Sequence, residues 1–521
     1  MNTKAWMASG TLAGASLAAP AQLFVEQVGE PEPARETTND LIILGENAEI
    51  SAVGEITRES MNMASEGYLV LHDPAGVPFL SWFFRDPISA SNALLAHRQD
   101  PRDGLHMILK ESAVLTPPPL TLELDLFKFD PFSGGFAYQW RYPITSFGEN
   151  LGMEVDGVTT LVAAGIVSPA SGTSNATLLR YDNASGLPVF HNAYPVFGSP
   201  AFNGRFFDVV VDRELGDIFA VGSIEIDDPD NFRSSRGVLI ARFDSTGAPV
   251  WFNVYEPVGA DIDTILHTGT SITLTPSGDV AVTARMENAS GSTSALHMVV
   301  SRPGGVPLGA TTVRGVNGLP LVAAFSSLET LADGTLLASG TITAPTGAPA
   351  PCMWNFKSPS GALNWFYIPE SLGLEGTSAI AHPGEGLLLG GEWFAPPGPI
   401  GGLNDMLLAR TAPSGAGYCD LPPDLSEIPT GINFLSLQVD PVDIPEPEQI
   451  DLEADRGDPI GVIVCDCPAD FNHNGMTDFP DVGLFIAAWS GGDLAADFNN
   501  NGVTDFPDVG LFIAAWSAGC P

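Results

Sequence analysis

Near the end of the chain, oxygen-bearing side chains recur in two sets 27 residues apart, at spacings suited to a hard cation. The first set is Asp470, Asn472, Asn474, Asp478 and Asp481, with Gly475 at the sharp turn and the carbonyl of Met476 available. The second is Asp497, Asn499, Asn501, Asp505 and Asp508, with Gly502 and the carbonyl of Val503. Both fill the ligand positions of a twelve-position calcium loop, and calcium takes about six to eight oxygen ligands. Each loop offers three carboxylates, so two calcium ions held with extracellular-range affinity are expected. Position 12 is Asp where an ordinary EF-hand has Glu. A chance duplication of an acidic, Asn-rich turn would not fill every ligand position twice.

The elements that must position these loops follow them directly. Val482, Phe485, Ile486 and Trp489, then Val509, Phe512, Ile513 and Trp516, recur at helical spacing. They predict two amphipathic helices packed on each other, a small all-α calcium-binding module over residues 467–521. So short a segment makes a small core, and calcium is expected to contribute folding free energy outright.

The duplicated run T-D-F-P-D-V-G-L-F-I-A-A-W-S, at Thr477–Ser490 and Thr504–Ser517, resembles a dockerin, the module that docks secreted bacterial proteins onto cohesin domains. Asp at position 12 in both copies belongs to that pattern. Cys467-Pro468 and Gly519-Cys520-Pro521 resemble the cysteine-flanked variant that ends its chain. The resemblance covers about a tenth of the sequence. It implies a cohesin-like partner contacted by Phe479 and Pro480 in one copy and by Phe506 and Pro507 in the other. These are bulkier than the small pairs common in cellulosomal dockerins. Cys467 and Cys520 flank the module and are candidates for a disulfide clasping its ends. Cys419 and Cys465 can pair likewise, leaving Cys352 over.

The 521 residues carry 62 acidic against 21 basic side chains, a formal charge of −41. That balance repels nucleic acid and anionic membrane and suits a saline or calcium-rich exterior. Residues 1–21 read as a secretory signal peptide, with Lys4, an apolar stretch and the small-x-small site Ala19-Pro20-Ala21. A secreted, cell-surface-associated product would follow from it; no apolar run long enough for a membrane-spanning helix occurs. Residues 420–466, rich in proline and carrying twelve Asp/Glu against the single base Arg456, read as a stiffened acidic linker.

Residues 41–419 read as a mainly β repeat array. Turns such as H-D-P-A-G-V-P at 72–78 and F-D-S-T-G-A-P at 243–249 sit between strands rich in aromatics. Turn markers at 73, 130, 182, 244, 302, 358 and 412 give seven units, and the expected architecture is a seven-bladed β-propeller. The turn-plus-aromatic pattern resembles bacterial propeller repeats; a pair of β-sandwiches is the competing arrangement. An earlier strand in each unit, such as Thr160–Val167 and Thr335–Ile342, is rich in small residues and is expected near the central channel. Ile432–Val439 either closes the ring or belongs to the linker.

No catalytic motif stands in the array. Eight scattered histidines form no metal pair, and His473 falls on a non-ligand loop position. Arg205, Asp208 and Asp212 read as turn and surface charges, although a constellation drawn from several blades leaves no sequence motif. Asp227, Asp228, Asp230 and Asn231 form an acidic hairpin open to a surface cation. The leading reading is a non-catalytic binding or display protein anchored through the calcium module. The alternative is a tethered polysaccharide-active enzyme, which two carboxylates across the propeller mouth would favour.

Overall fold

The computed structural model describes most of the chain between residues 24 and 518. Residues 1–23, 59–64, 115–120, 143–150, 168–173, 197–202, 229–232, 259–263, 289–292, 344–348, 368–372, 394–404, 412–424, 470–478, 497–503 and 519–521, with shorter gaps, lie outside the described residues. The signal-peptide reading and most of the calcium-loop residues therefore fall outside it.

The chain forms a seven-bladed β-propeller. Six blades of four antiparallel strands follow in chain order, over residues 34–85, 89–142, 153–194, 203–258, 264–316 and 323–367. The seventh takes three strands from residues 373–411, and its fourth is the N-terminal strand Phe24–Gly29, where Val25 faces Ala409. Neighbouring blades pack in a closed ring, the seventh against the first. The ring is thus closed by the N-terminus rather than by Ile432–Val439.

The core is a set of wedges, one at each blade junction. Leu69, Trp82 and Phe84 of the first blade meet Ile108, Phe127 and Phe129 of the second. Leu328, Phe325 and Trp354 of the sixth meet Val299 and Val313 of the fifth. Aromatic residues, the clearest marks of the repeat, explain its turns as well. Gly134, at φ +75°, packs where a Cβ would strike the Trp82 ring of the preceding blade. Trp82 Nε1 donates to the Pro131 carbonyl (2.7 Å), Trp140 Nε1 to Ser185 (3.1 Å) and Trp251 Nε1 to Arg302 (3.0 Å). These three outer-strand tryptophans therefore clip their blades to the next blade's turn.

The small-residue strands lie second in each blade, not at the channel. The innermost strand precedes them and escaped recognition because a β-bulge interrupts its alternation. Register shifts fall at Thr38/Asp40, Leu94/Ala96, Phe206/Asp208, Gly269/Ser271, Phe325/Ser327 and Gly376/Ser378. The small residues face those bulges: a Cβ on Gly222 would run into the Arg205 carbonyl, and one on Gly340 into that of Ala324.

The described residues between Leu425 and Cys465 are not a spacer. They run back around the propeller and add an outermost strand to one blade after another. Leu425–Pro429 pairs with the fifth blade, Gly431–Ser436 with the fourth and Val442–Asp443 with the third. Glu448–Gln449 pairs with the second, Glu453–Gly457 with the first, and Ile460–Cys465 with Phe24–Gly29 of the seventh. Prolines and acidic residues do not preclude this, because edge strands tolerate both. The belt occupies the unpaired edges that outer strands would otherwise expose.

The C-terminal segment holds two helices, α1 (Phe479–Gly491) and α2 (Phe506–Ala518), the only helices among the described residues longer than a turn. No helix is long and apolar enough to cross a membrane.

Candidate functional site

The innermost strands enclose a central cavity of about 400 Å³ to which all seven blades contribute. The bulges bring its side chains into two stacked rings. The deeper ring holds Asp40, Ala96, Gly152, Asp208, Ser271, Ser327 and Ser378, one per blade in order. Two residues further along each strand, the second ring holds Ile42, Arg98, Glu154, Val210, Thr273, Glu329 and Ile380. Asp40, Ala96, Gly152 and Asp208 stand at a constant interval of 56 residues, a register finer than the turn markers revealed.

The deeper ring is a set of staples between blades. Asp40 accepts the His97 backbone N–H (3.0 Å), and Asp208 accepts that of Ile272 (2.9 Å) and the Ser271 hydroxyl (2.6 Å). Ser271 Oγ in turn accepts the Leu328 N–H (3.0 Å), and Ser327 Oγ that of Ala379 (3.1 Å). Each acceptor satisfies a backbone donor of the next blade, so this ring fixes the geometry of the channel.

The second ring carries the less committed charges. Arg98 Nη1 donates to Asp40 (2.6 Å) and to the His97 carbonyl (2.6 Å). Glu154 Oε1 accepts from Arg213 (2.8 Å). Glu329 accepts the Ala381 N–H (3.0 Å). In a ring of seven, the sixth blade lies opposite the second and third, so Glu329 faces Arg98 and Glu154 across the channel.

Protonation divides these carboxyls. Burial pushes Glu329 up to about 7, against the opposing pull of the Ala381 N–H and Arg98. Burial likewise raises Asp208 to about 6, although Ser271 and Ile272 bond its charged form. Burial would raise Asp40 too, but the Arg98 charge and His97 overcome it, and its carboxyl is lowered. The channel therefore combines a carboxylic acid that keeps its proton near neutrality with a second carboxyl in a lasting ion pair. Such a split is the arrangement that acid–base chemistry requires.

Of the three charges read as surface groups, Asp208 is instead a wall of the channel, a position the bulge alone creates. Asp212 pairs with Arg302 between the fourth and fifth blades, and Arg205 stacks over Phe207 (5.3 Å). Asp227 and Asp228 belong to a strand pairing with Ser234 and Arg233, while Asp230 and Asn231 lie outside the described residues. No cluster of metal-ligating His, Cys, Asp or Glu stands among the described residues. Glu154 and Glu329 were not singled out in the sequence; the 56-residue interval counted from Asp40 leads to Glu154, and only after a seven-residue insertion before Ser271 does it lead to Glu329.

In the C-terminal module, Asp470, Asn472, Asn474, Met476, Asp478, Asp497, Asn499, Asn501 and Val503 lie outside the described residues. Asp481 and Asp508, the two position-12 residues, are fully buried in the first turns of α1 and α2. Asp508 Oδ2 accepts the Asp505 N–H (2.7 Å), and Asp505 Oδ1 is buried with no hydrogen-bond partner. The module contains no Lys or Arg. The unpartnered Asp505 oxygen and the carboxyls of Asp481 and Asp508 are donors of the kind a hard cation takes.

Phe485 and Phe512 stack between the helices at 3.9 Å, and Trp489 Nε1 donates to the Asp505 carbonyl (2.8 Å). Ile486 and Ile513, expected in this contact, are exposed instead, because the helices meet along Val482, Phe485 and Trp489 on one side and Val509, Phe512 and Trp516 on the other. Phe479 and Phe506 are about four-fifths exposed, at 81% and 78%, and Pro507 is exposed. Cys467 and Cys520 lie outside the described residues. Cys352 is a free, buried thiol that donates to the Gly340 carbonyl (3.2 Å).

No protein-family model matches the chain, and no curated protein does. Among solved structures, it is similar to an alpha-L-arabinanase of Penicillium chrysogenum complexed with arabinobiose. Identity there is 12%, over 63% of this chain and 94% of that one, with a TM-score of 0.35. A Dyadobacter fermentans protein of unknown function matches at 13%, over 75% and 98%, with a TM-score of 0.39. The quinohemoprotein alcohol dehydrogenase of Comamonas testosteroni matches at 10%, over 77% and 69%, with a TM-score of 0.37. Likenesses this distant assign no activity.

Proposed function

We propose that the propeller is a glycan-active hydrolase working in its central channel, carried on a chain whose C-terminal dockerin-like module anchors it through calcium. The observation that carries this reading is the placement of Glu329 across the channel from Glu154, with burial raising the Glu329 carboxyl to about 7. In hydrolysis of a glycosidic bond, Glu329 donates its proton to the leaving oxygen. Glu154, held in place by its ion pair with Arg213, supplies the base or nucleophile on the opposite side. Asp40 and Asp208 hold the ring in shape. A mouth of serine, alanine and glycine alone would have favoured a display face; this one carries four carboxyls and an arginine.

Two calcium ions, one per loop, belong to the same proposal. Buried Asp481, Asp508 and the unpartnered Asp505 oxygen support them, with the loop residues from Asp470 and Asp497 onward completing each ligand set. Exposed Phe479 and Phe506 are the contacts offered to a cohesin-like partner, outside the cell. The test is release of reducing ends from a panel of polysaccharides by the full chain in calcium. Loss of at least a hundredfold in Glu329→Gln, with folding intact, is expected. Undiminished hydrolysis by that variant would remove Glu329 from the chemistry.

A further inference from the structure

Resting on the channel as the glycan site, we infer that it takes the terminal, uncharged sugar unit of a chain, with adjacent hydroxyls read jointly by Arg98 and Glu154. The two side chains stand at one level on adjoining blades. Arg98 spends Nη1 on Asp40 and the His97 carbonyl, and its Nε and Nη2 form no hydrogen bond among the described residues. Glu154 commits Oε1 to Arg213, leaving Oε2 as an acceptor. A donor fork beside a carboxylate acceptor matches neighbouring hydroxyls, each of which both accepts and donates.

Charge narrows the class. Among the described residues Arg98 is the one cationic side chain lining the cavity, against Asp40, Glu154, Asp208 and Glu329. A ligand carboxylate placed on Arg98 would meet Glu154 beside it and Asp40 behind it. A neutral polyol avoids that repulsion and uses both partners. Shape narrows it further, because strands from all seven blades wall the cavity. Ligand must enter along the axis, chain end first. The volume lies in the small-ligand range of about 300–1,000 Å³.

Calorimetry on full-length Glu329→Gln in calcium tests this apart from catalysis. The probes are cello-, xylo- and arabino-oligosaccharides of two to six units, with trigalacturonate as the acidic counterpart. At least one neutral series should bind, with affinity level beyond about two or three units and trigalacturonate at least tenfold weaker. Arg98→Gln and Glu154→Gln should each weaken that binding about tenfold or more. The inference is overturned if trigalacturonate binds as well as the neutral sugars, if affinity keeps rising to six units, or if neither substitution matters. Absence of binding by every probe overturns it too. Binding as expected, with no hydrolysis by the unaltered chain, would leave this inference standing and sink the hydrolase reading alone.

Discussion

In the propeller, apolar wedges at every blade junction hold the ring, and its polar groups are stapled across blades. The C-terminal module has one narrow aromatic contact and buries two carboxylates beside it. One region draws its stability from buried apolar area; the other has little such area and buries two carboxyls, Asp481 and Asp508, in a segment without Lys or Arg. The sequences reflect the difference. Apolar wedges accept many side chains of suitable size, and the blades have diverged, whereas the two loop–helix copies remain nearly identical.

The largest expected effect breaks the comparison directly. Chelation, or Asp481→Ala with Asp508→Ala, should abolish the calcium-dependent helical circular dichroism of the module and leave the β signal unchanged. A parallel loss of β signal would show that calcium also holds the propeller. Next, Trp354→Ala should destabilise the propeller by about 3–5 kcal/mol, read by denaturant titration, because it empties a wedge between the fifth and sixth blades. The module's response to calcium should not move.

Truncation sharpens the contrast between the module and the belt before it. Ending the chain before residue 467 should give a stable monomer. Ending it before residue 420 uncovers outer edges on six blades, and self-association by light scattering is expected. A monomer in both cases would reduce the belt to a passive passenger.

The smallest effect is one of pH. Glu329 has a raised pKa in the folded chain, so the unfolded chain releases its proton near the ordinary 4.5 and the folded chain only near 7. Stability is therefore lost as pH rises through that window, by roughly 1–3 kcal/mol. Glu329→Gln should melt at the same temperature as the unaltered chain at pH 4 and above it at pH 8.

Much of this was legible in the residues, and the exceptions have physical causes. Turn glycines and outer-strand aromatics announce the blades because the turns at Gly134, Gly186, Gly247 and Gly305 admit a ring of the preceding blade, as Gly134 admits Trp82. The channel strands stayed hidden, since a bulge before Asp40, Asp208 and Ser271 breaks the alternation by which strands are recognised. Glu154 and Glu329 stayed hidden with them, being paired only by ring closure across 175 residues of sequence. The belt misled for a different reason. Its prolines and acids are the composition of a solvated linker, yet single-edge pairing asks little more of a strand.

The most direct test is the protonation of Glu329 itself. Isotope-edited infrared difference spectra between the unaltered chain and Glu329→Gln isolate its carboxyl as pH is raised. A protonated carbonyl band persisting to about pH 7 is the expected result. Disappearance of that band below pH 5 would contradict it, leaving the channel with no acid to oppose Glu154.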